Sequence, residues 1–300
     1  MTTLPSLMAL RCFDASARHE SFTKAAAEIH LTQGAVSHQV LGLEAHLGVS
    51  LFVRKRAGLK LTNVGNAYLA EVSIALRQLE RATQNVMTHK GAGGALDLCV
   101  ASTFATYWLI PRLSGFVAAH PEVTLNLSTH IGPVDFSSAP HDAAIEFCSG
   151  ATAGLRAELV LPLSLRPYVA PRLLKGLSRA SGPQALKNAL LAYPLIRHTT
   201  VPHAWASWLA QAGLSDLLPA QRLDAGPQYD LLSMALNGVI AGLGVALLPE
   251  YAAAGAVASG QVKQLSPMAW KAEKAYYLRY PEWKSEMMVL RRFQDWLKSA

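Results

Sequence analysis

The sequence predicts an all-α N-terminal domain carrying a small β wing and a long linker helix, followed by an α/β domain. Three observations predict it. Up to about residue 90, apolar residues recur at threes and fours, the spacing of helices with one buried face. The segment GAGG at 91–94 is the clearest linker in the chain. Beyond it, short apolar runs alternate with helix-period segments, the texture of an α/β fold.

The first helix is read over 5–18, with Leu7, Leu10, Phe13 and Ala17 on one face and Ser6 placed to cap it after Pro5. A break at 19–21 precedes FTKAAAEI, where Phe22, Ala25, Ala26 and Ile29 form a second stripe. His30 and Leu31 then break the chain before a third helix with Val36, Val40, Leu43 and Leu47 inward. Three short helices, the last two joined by a tight turn, make a helix-turn-helix pattern. LFVRKRAGLKLT at 51–62 reads as two strands around a basic tip, a hairpin that adds a wing. Thr62 can cap a helix reaching about Lys90, on which Val64, Tyr68, Val72, Ala75, Leu79 and Val86 approach a heptad seam. One narrow apolar stripe on so long a helix needs a partner. A second copy of the chain is the first choice, and the downstream domain the alternative. The predicted domains are therefore 1–61, 62–92 and 93–300.

In the last of these, strands are read at 96–101, 123–130, 143–147, 194–198, 245–249 and 276–281. Helices are read at 108–120, near 183–189, at 204–213 and at 230–241, with a final one burying Val289, Phe293, Trp296 and Leu297. Such alternation implies mainly parallel sheets with helices on both faces.

Composition narrows the function. The net charge is +7, and the first sixty residues carry seven Lys/Arg against four Asp/Glu. Arg54, Lys55, Arg56 and Lys60 crowd together, which suits a polyanionic partner and, taken alone, equally a solvated loop. Cys12, Cys99 and Cys148 are odd in number and widely spaced, against a disulfide framework or zinc site and consistent with a reducing cytoplasm. The N-terminus lacks a signal-peptide pattern and no run approaches eighteen apolar residues, so neither secretion nor a membrane span is expected. GVIAGLG at 238–244 closes a helix and enters a strand, the reverse of a dinucleotide site. His198 and His203 are separated by Pro202, which forbids a helical metal pair. Cys148 has no basic neighbour in sequence, and Trp205 and Trp208 suit a core. No nucleophile–base constellation is present, so no catalytic residue, cofactor or metal is predicted.

The third helix is the most informative element. Between its apolar positions stand Gln33, Ser37, His38 and Gln39, hydrogen-bonding groups with almost no charge. A helix entering the DNA major groove needs such groups near its N-terminus, where Thr32 is the N-cap and a phosphate is favoured. Base contacts are assigned to Gln33, Ser37 and His38. Contacts to the backbone of double-stranded DNA are assigned to Thr23, Thr32, Arg54, Lys55 and Arg56.

The stretch FTKAAAEIHLTQGAVSHQVLGLEAHLGVSLFVRKRAGLKLTNVG, 22–65, resembles the DNA-binding region of the LysR-type transcriptional regulators. The resemblance continues through VASTFATYWLIPRLSGFVAAHPEVTLNL at 100–127 and AGLGVALLPEY at 241–251, nearly the whole chain. Within that family, LPSLMALRCFDASARHESFTKAA and STHIGPVD are most similar to the branch holding the glycine-cleavage activator and the β-lactamase-inducer regulator. Gly34 departs from it, since many relatives have Pro there.

The resemblance implies a C-terminal two-lobed fold like that of periplasmic binding proteins, sensing a small-molecule effector. Lobe one would comprise about 93–163 and 269–300, and lobe two about 164–268. In such a fold the ligand lies at the carboxyl ends of strands, between lobes. That rule selects Ser102, Thr103, Thr129, His130 and Phe147 from one lobe and His198, Thr199, Tyr229 and Asp230 from the other. Ser102 and Asp230 could equally be helix caps. The resemblance further implies a homodimer through the linker helix, pairing into a homotetramer, and contact with RNA polymerase. A solute-binding module leaves the basic N-terminal ninety residues without a role, and an α/β enzyme lacks its catalytic cluster; both are disfavoured.

Overall fold

The computed structural model describes residues 4–55, 58–88, 94–130, 132–137, 141–175 and 182–300. Two compact units are present, residues 1–92 and, in the main, 93–300.

The first unit begins with α1 (Leu7–His19), α2 (Phe22–Glu28) and α3 (Gln33–Leu47). A hairpin of β1 (Phe52–Lys55) and β2 (Gly58–Leu61) follows, then α4 (Asn63–Thr88). Each short helix starts on a hydroxyl cap: Ser6 Oγ accepts from Ala9 N–H, Ser21 Oγ from Lys24 N–H and Thr32 Oγ1 from Ala35 N–H. The turns between them use left-handed residues at Glu20 (φ 48°) and His30 (φ 55°), which end one helix and re-aim the next. Phe13, Ala25, Val36, Val40, Leu43 and Leu51 form the centre of the core.

Two expectations about burial fail here. Leu7, placed on the inward face of α1, is about half exposed, and Cys12 is fully buried in its stead. The inward face is set by the contacts of the middle turns, and Leu7 is the first helical residue, beyond them. On α4, Val72 is not part of a free seam. Together with Leu76 it is buried in this unit's own core, with Tyr68 and Leu69 packed beside them. Tyr68 lies against Phe13, and Ser73 donates to Asp14 of α1. Val64 and Leu79 stay exposed on the adjoining face.

The second unit is built on one mixed sheet. Its strands are β3 (Gly94–Val100), β4 (Val123–Ser128), β5 (Ala143–Cys148), β6 (Leu155–Val169) and β7 (Leu195–His198). They continue with β8 (Gln228–Tyr229), β9 (Val245–Pro249), β10 (Lys263–Gln264) and β11 (Trp270–Pro281). The order is β4-β3-β5-β11-β6-β9-β7-β8, with β10 added on β6. The expected parallel pairs occur at β3–β4, β3–β5, β7–β9 and β7–β8. The middle of the sheet is not parallel: β11 runs antiparallel to both β5 and β6, and β6 antiparallel to β9. A chain that leaves one lobe on β6 must return on β11, and the two crossings pair head to tail. That return defeats the simple alternation rule.

The helix expected at 108–120 begins earlier, at Ser102, and is not regular. Ala105–Leu109 is π-helical and Ile110–Arg112 is 3-10, before a true α-helix at Leu113–Ala119. Pro111 has no N–H to give the preceding turn, so the hydrogen-bond ladder is rearranged around it. A helix at Glu250–Ala258 was not expected, because its run of alanines shows no polar stripe. Among the described residues, no helix is long and apolar enough to cross a membrane.

The burial on α4 makes a direct prediction. Val72→Asp places a charge in the core of residues 1–92 and should destabilise that unit by several kcal/mol. Ala70→Asp, at an exposed site on the opposite side of α4 from Val64 and Leu79, should leave it folded. Urea unfolding followed by helical circular dichroism checks this, and equal losses would contradict the packing described.

Candidate functional site

Two regions gather the residues singled out above. On the first unit, Thr23, Gln33 and His38 are exposed and Ser37 is half-buried. Thr32 is spent in part on its cap. Gly34, in the first turn of α3, has open space where a side chain would stand. A surface of amide, hydroxyl and imidazole groups therefore flanks the N-terminus of α3. The hairpin pairs Phe52 with Leu61 through to Lys55 with Gly58. Arg56 lies outside the described residues, as do the side chains of Arg54 and Lys55. Lys60 is half-buried and meets Glu20 at 2.5 Å.

On the second unit, a cavity of about 620 Å³ opens between the lobes. Ser102, Thr103, His130, Phe147, His198, Thr199 and Asp230 line it. Thr129 and Tyr229 do not. Tyr229 ends β8, and Asp230 follows it at a bend. The Tyr229 ring packs behind the sheet against Gly238, where a Cβ would stand only 3.1 Å from it. Gly238 of GVIAGLG is thus a packing residue.

Neither Ser102 nor Asp230 caps a helix; the cap positions are Ala101 and Leu231, with no side-chain bond. Thr103 is buried, and its hydroxyl joins the two lobes. It accepts from Ser233 N–H at 3.1 Å and lies 3.4 Å from Ser233 Oγ. Aromatic and charged groups also line the wall, beside aliphatic ones such as Val100, Ile145 and Leu163. Tyr276 lines the cavity with its ring 4.5 Å from Phe104 and accepts at its hydroxyl from Tyr251 at 3.0 Å. Burial pushes the Tyr276 phenol up to about 12, so it stays protonated.

Glu146 and Arg279 also line the cavity, and sequence reading missed both. Their strands pair so that Glu146 faces Tyr277 and Arg279 faces Ala144, which sets the two side chains diagonally on one face. Arg279 Nη1 donates to Glu146 Oε2 at 2.7 Å, with both side chains more than nine-tenths buried. Glu146 Oε1 accepts from Val134 N–H at 2.6 Å, and Arg279 Nη2 donates to Thr152. This pair therefore ties two loops to the cavity wall. A single charge inside an apolar strand, as in AAIEF and YYLRY, was the signal available.

His198 is held neutral. Its Nδ1 accepts from Thr200 N–H at 3.2 Å and lies 2.7 Å from Thr200 Oγ1. Burial lowers its pKa to about 4, against a smaller upward pull from Asp230. Trp205 and Trp208 are core residues whose indoles donate to Ile196 and Met268 carbonyls.

The sequence matches the bacterial regulatory helix-turn-helix protein, lysR family, over 7–66, and the LysR substrate binding domain over 89–300. The chain belongs to the LysR family. It is 34% identical to the glycine cleavage system transcriptional activator of Escherichia coli K12 over 98% of this chain and 93% of that one. It is also 34% identical to the transcriptional activator AmpR of Pseudomonas aeruginosa, over 97% of this chain and 94% of the relative. The effector domain of that AmpR superposes on 68% of this chain and 93% of its own, with TM-score 0.58 and 29% identity. This LysR-family member is accordingly a DNA-binding transcriptional regulator with a two-lobed effector-binding domain, and its relatives are regulators, not enzymes.

The neutral His198 gives the domain a pH dependence. The unfolded chain takes up this proton near pH 6.5 and the folded one only near 4, so the unfolded state binds more protons between those values. Stability should fall as pH drops from about 6.5 towards 4, with no contribution from His198 above that range. His198→Gln should make the fall shallower in denaturant titrations across this window. Parallel curves for variant and wild type would show that another group carries the effect.

Proposed function

We propose that this LysR-family regulator reads its operator through α3 and that a small polar metabolite between the lobes sets its activity. The cavity carries the second half of this reading. It receives side chains from both lobes, and Thr103 bonds to Ser233 across it, so an occupant that competes for these groups changes how the lobes meet. The groups offered include several hydroxyls, with Glu146 and Arg279 neutralising each other and Asp230 and Lys274 adding one charge of each sign. That balance suits a ligand rich in hydroxyl, amide or zwitterionic groups and disfavours a polyanion.

On the DNA side, Gln33, Ser37 and His38 contact base edges, while Thr23, Thr32, Arg54, Lys55 and Arg56 contact phosphates. The exposed face of α4 with Val64 and Leu79 pairs two subunits, and the sensing domains pair again into a tetramer. Binding of effector then resets the spacing of the DNA-binding heads and the contact with RNA polymerase, in the cytoplasm. Two relatives are named activators, which supports activation as the output.

The test of the DNA-binding half is selective loss. Gln33→Ala and Ser37→Ala should each weaken binding to an operator selected from random DNA by about 1–3 kcal/mol, while binding to bulk DNA changes little. Equal losses on both would remove these residues from base reading.

A further inference from the structure

Leu51, the residue before β1, is fully buried, and its peptide is held from several sides. Its N–H donates to Glu44 Oε1 at 2.7 Å, and the next N–H, of Phe52, donates to the same oxygen at 2.9 Å. Its carbonyl accepts from Thr62 N–H at 2.9 Å, while the Thr62 hydroxyl lies 2.9 Å from Ser50 O and 3.3 Å from Leu51 O. Thr62 Oγ1 also accepts from Gly65 N–H at 2.9 Å, capping α4. A Cβ on Gly65 would stand 2.2 Å from the Leu51 oxygen, so only glycine permits the approach. Glu44 belongs to α3, Leu51 opens the hairpin and Thr62 closes it onto α4. One peptide group therefore joins the recognition helix, the wing and the linker helix.

A hairpin of two four-residue strands does not fix its own direction. A carboxylate oxygen accepting two backbone N–H groups supplies a charge-assisted anchor of defined geometry. We propose that Glu44 is a positioning residue for DNA binding: it hangs the wing from the recognition helix, so that Arg54 and Lys55 meet phosphates while α3 occupies the groove. This rests on the reading above that the wing contacts the DNA backbone.

The experiment measures binding of the full chain to a short duplex of random sequence over a series of salt concentrations. Removing one phosphate-neutralising cation from the interface flattens the slope of log K on log salt by about 0.9. Arg54→Ala and Lys55→Ala test the wing itself; an unchanged slope in both overturns the wing reading and this inference with it. Given a flattened slope there, Glu44→Ala should flatten it too, while Glu44→Gln, which keeps an acceptor oxygen at the same reach, restores the wild-type slope. If Glu44→Ala does not fold, Glu44→Asp decides, because it retains the charge but falls short of Leu51 and Phe52. A wild-type slope in the folded Ala or Asp variant, or a Gln variant no better than Ala, would refute the positioning role.

Discussion

The effector domain depends on the pairing of its two crossover strands. β6 and β11 carry the chain out of one lobe and back, and they hydrogen-bond to each other antiparallel from Trp270–Leu165 to Pro281–Leu155. The ladder is irregular between Lys271 and Ala275 and again at Tyr276–Tyr277. Irregularities of this kind bend a strand and re-aim its side chains. At that bend Tyr276 reaches the cavity, and three residues on Arg279 reaches it too. The same strand thus crosses between the lobes and forms part of the cavity wall.

The polar contents of the wall follow from that constraint. Arg279 enters a buried environment and is tolerated there because β5 brings Glu146 onto the same face. Glu146 in turn holds Val134, and Arg279 holds Thr152, so the loops over the cavity are tethered to the ion pair beneath them. Thr103 and Ser233 add a direct tie between lobes. In the DNA-binding unit the Leu51 peptide plays the corresponding part, with Glu44 and Thr62 on its two sides. In both units these polar bonds join separate elements.

Local features were legible in the sequence, and distant ones were not. Ser6 and Thr32 could be read as caps because a cap and its N–H partner lie three residues apart. The inward face of α3 was legible because Val36, Val40 and Leu43 keep the helical period. Strand ends pointed to the cavity through Ser102, Thr103, His198 and Thr199, since carboxyl ends of parallel strands face the crevice. The Glu146–Arg279 pair spans 133 residues of sequence and the Thr103–Ser233 bond 130, separations at which no spacing rule operates. Val72 was misjudged for a related reason. A stripe on a long helix does not say whether its partner is another copy or the preceding bundle, and α1 supplies that partner here.

In the proposed mechanism, occupancy of the cavity governs the DNA complex through Thr103. The most direct measurement is footprinting of the full chain on its selected operator, with and without compounds that raise its thermal midpoint, for wild type and Thr103→Val. The variant is nearly isosteric but loses the hydroxyl that bonds Ser233. Such a compound should change the extent of the wild-type footprint and leave that of the variant unchanged, with both proteins binding alike in its absence. A compound shown to occupy the cavity that alters neither footprint, or both equally, would contradict that mechanism.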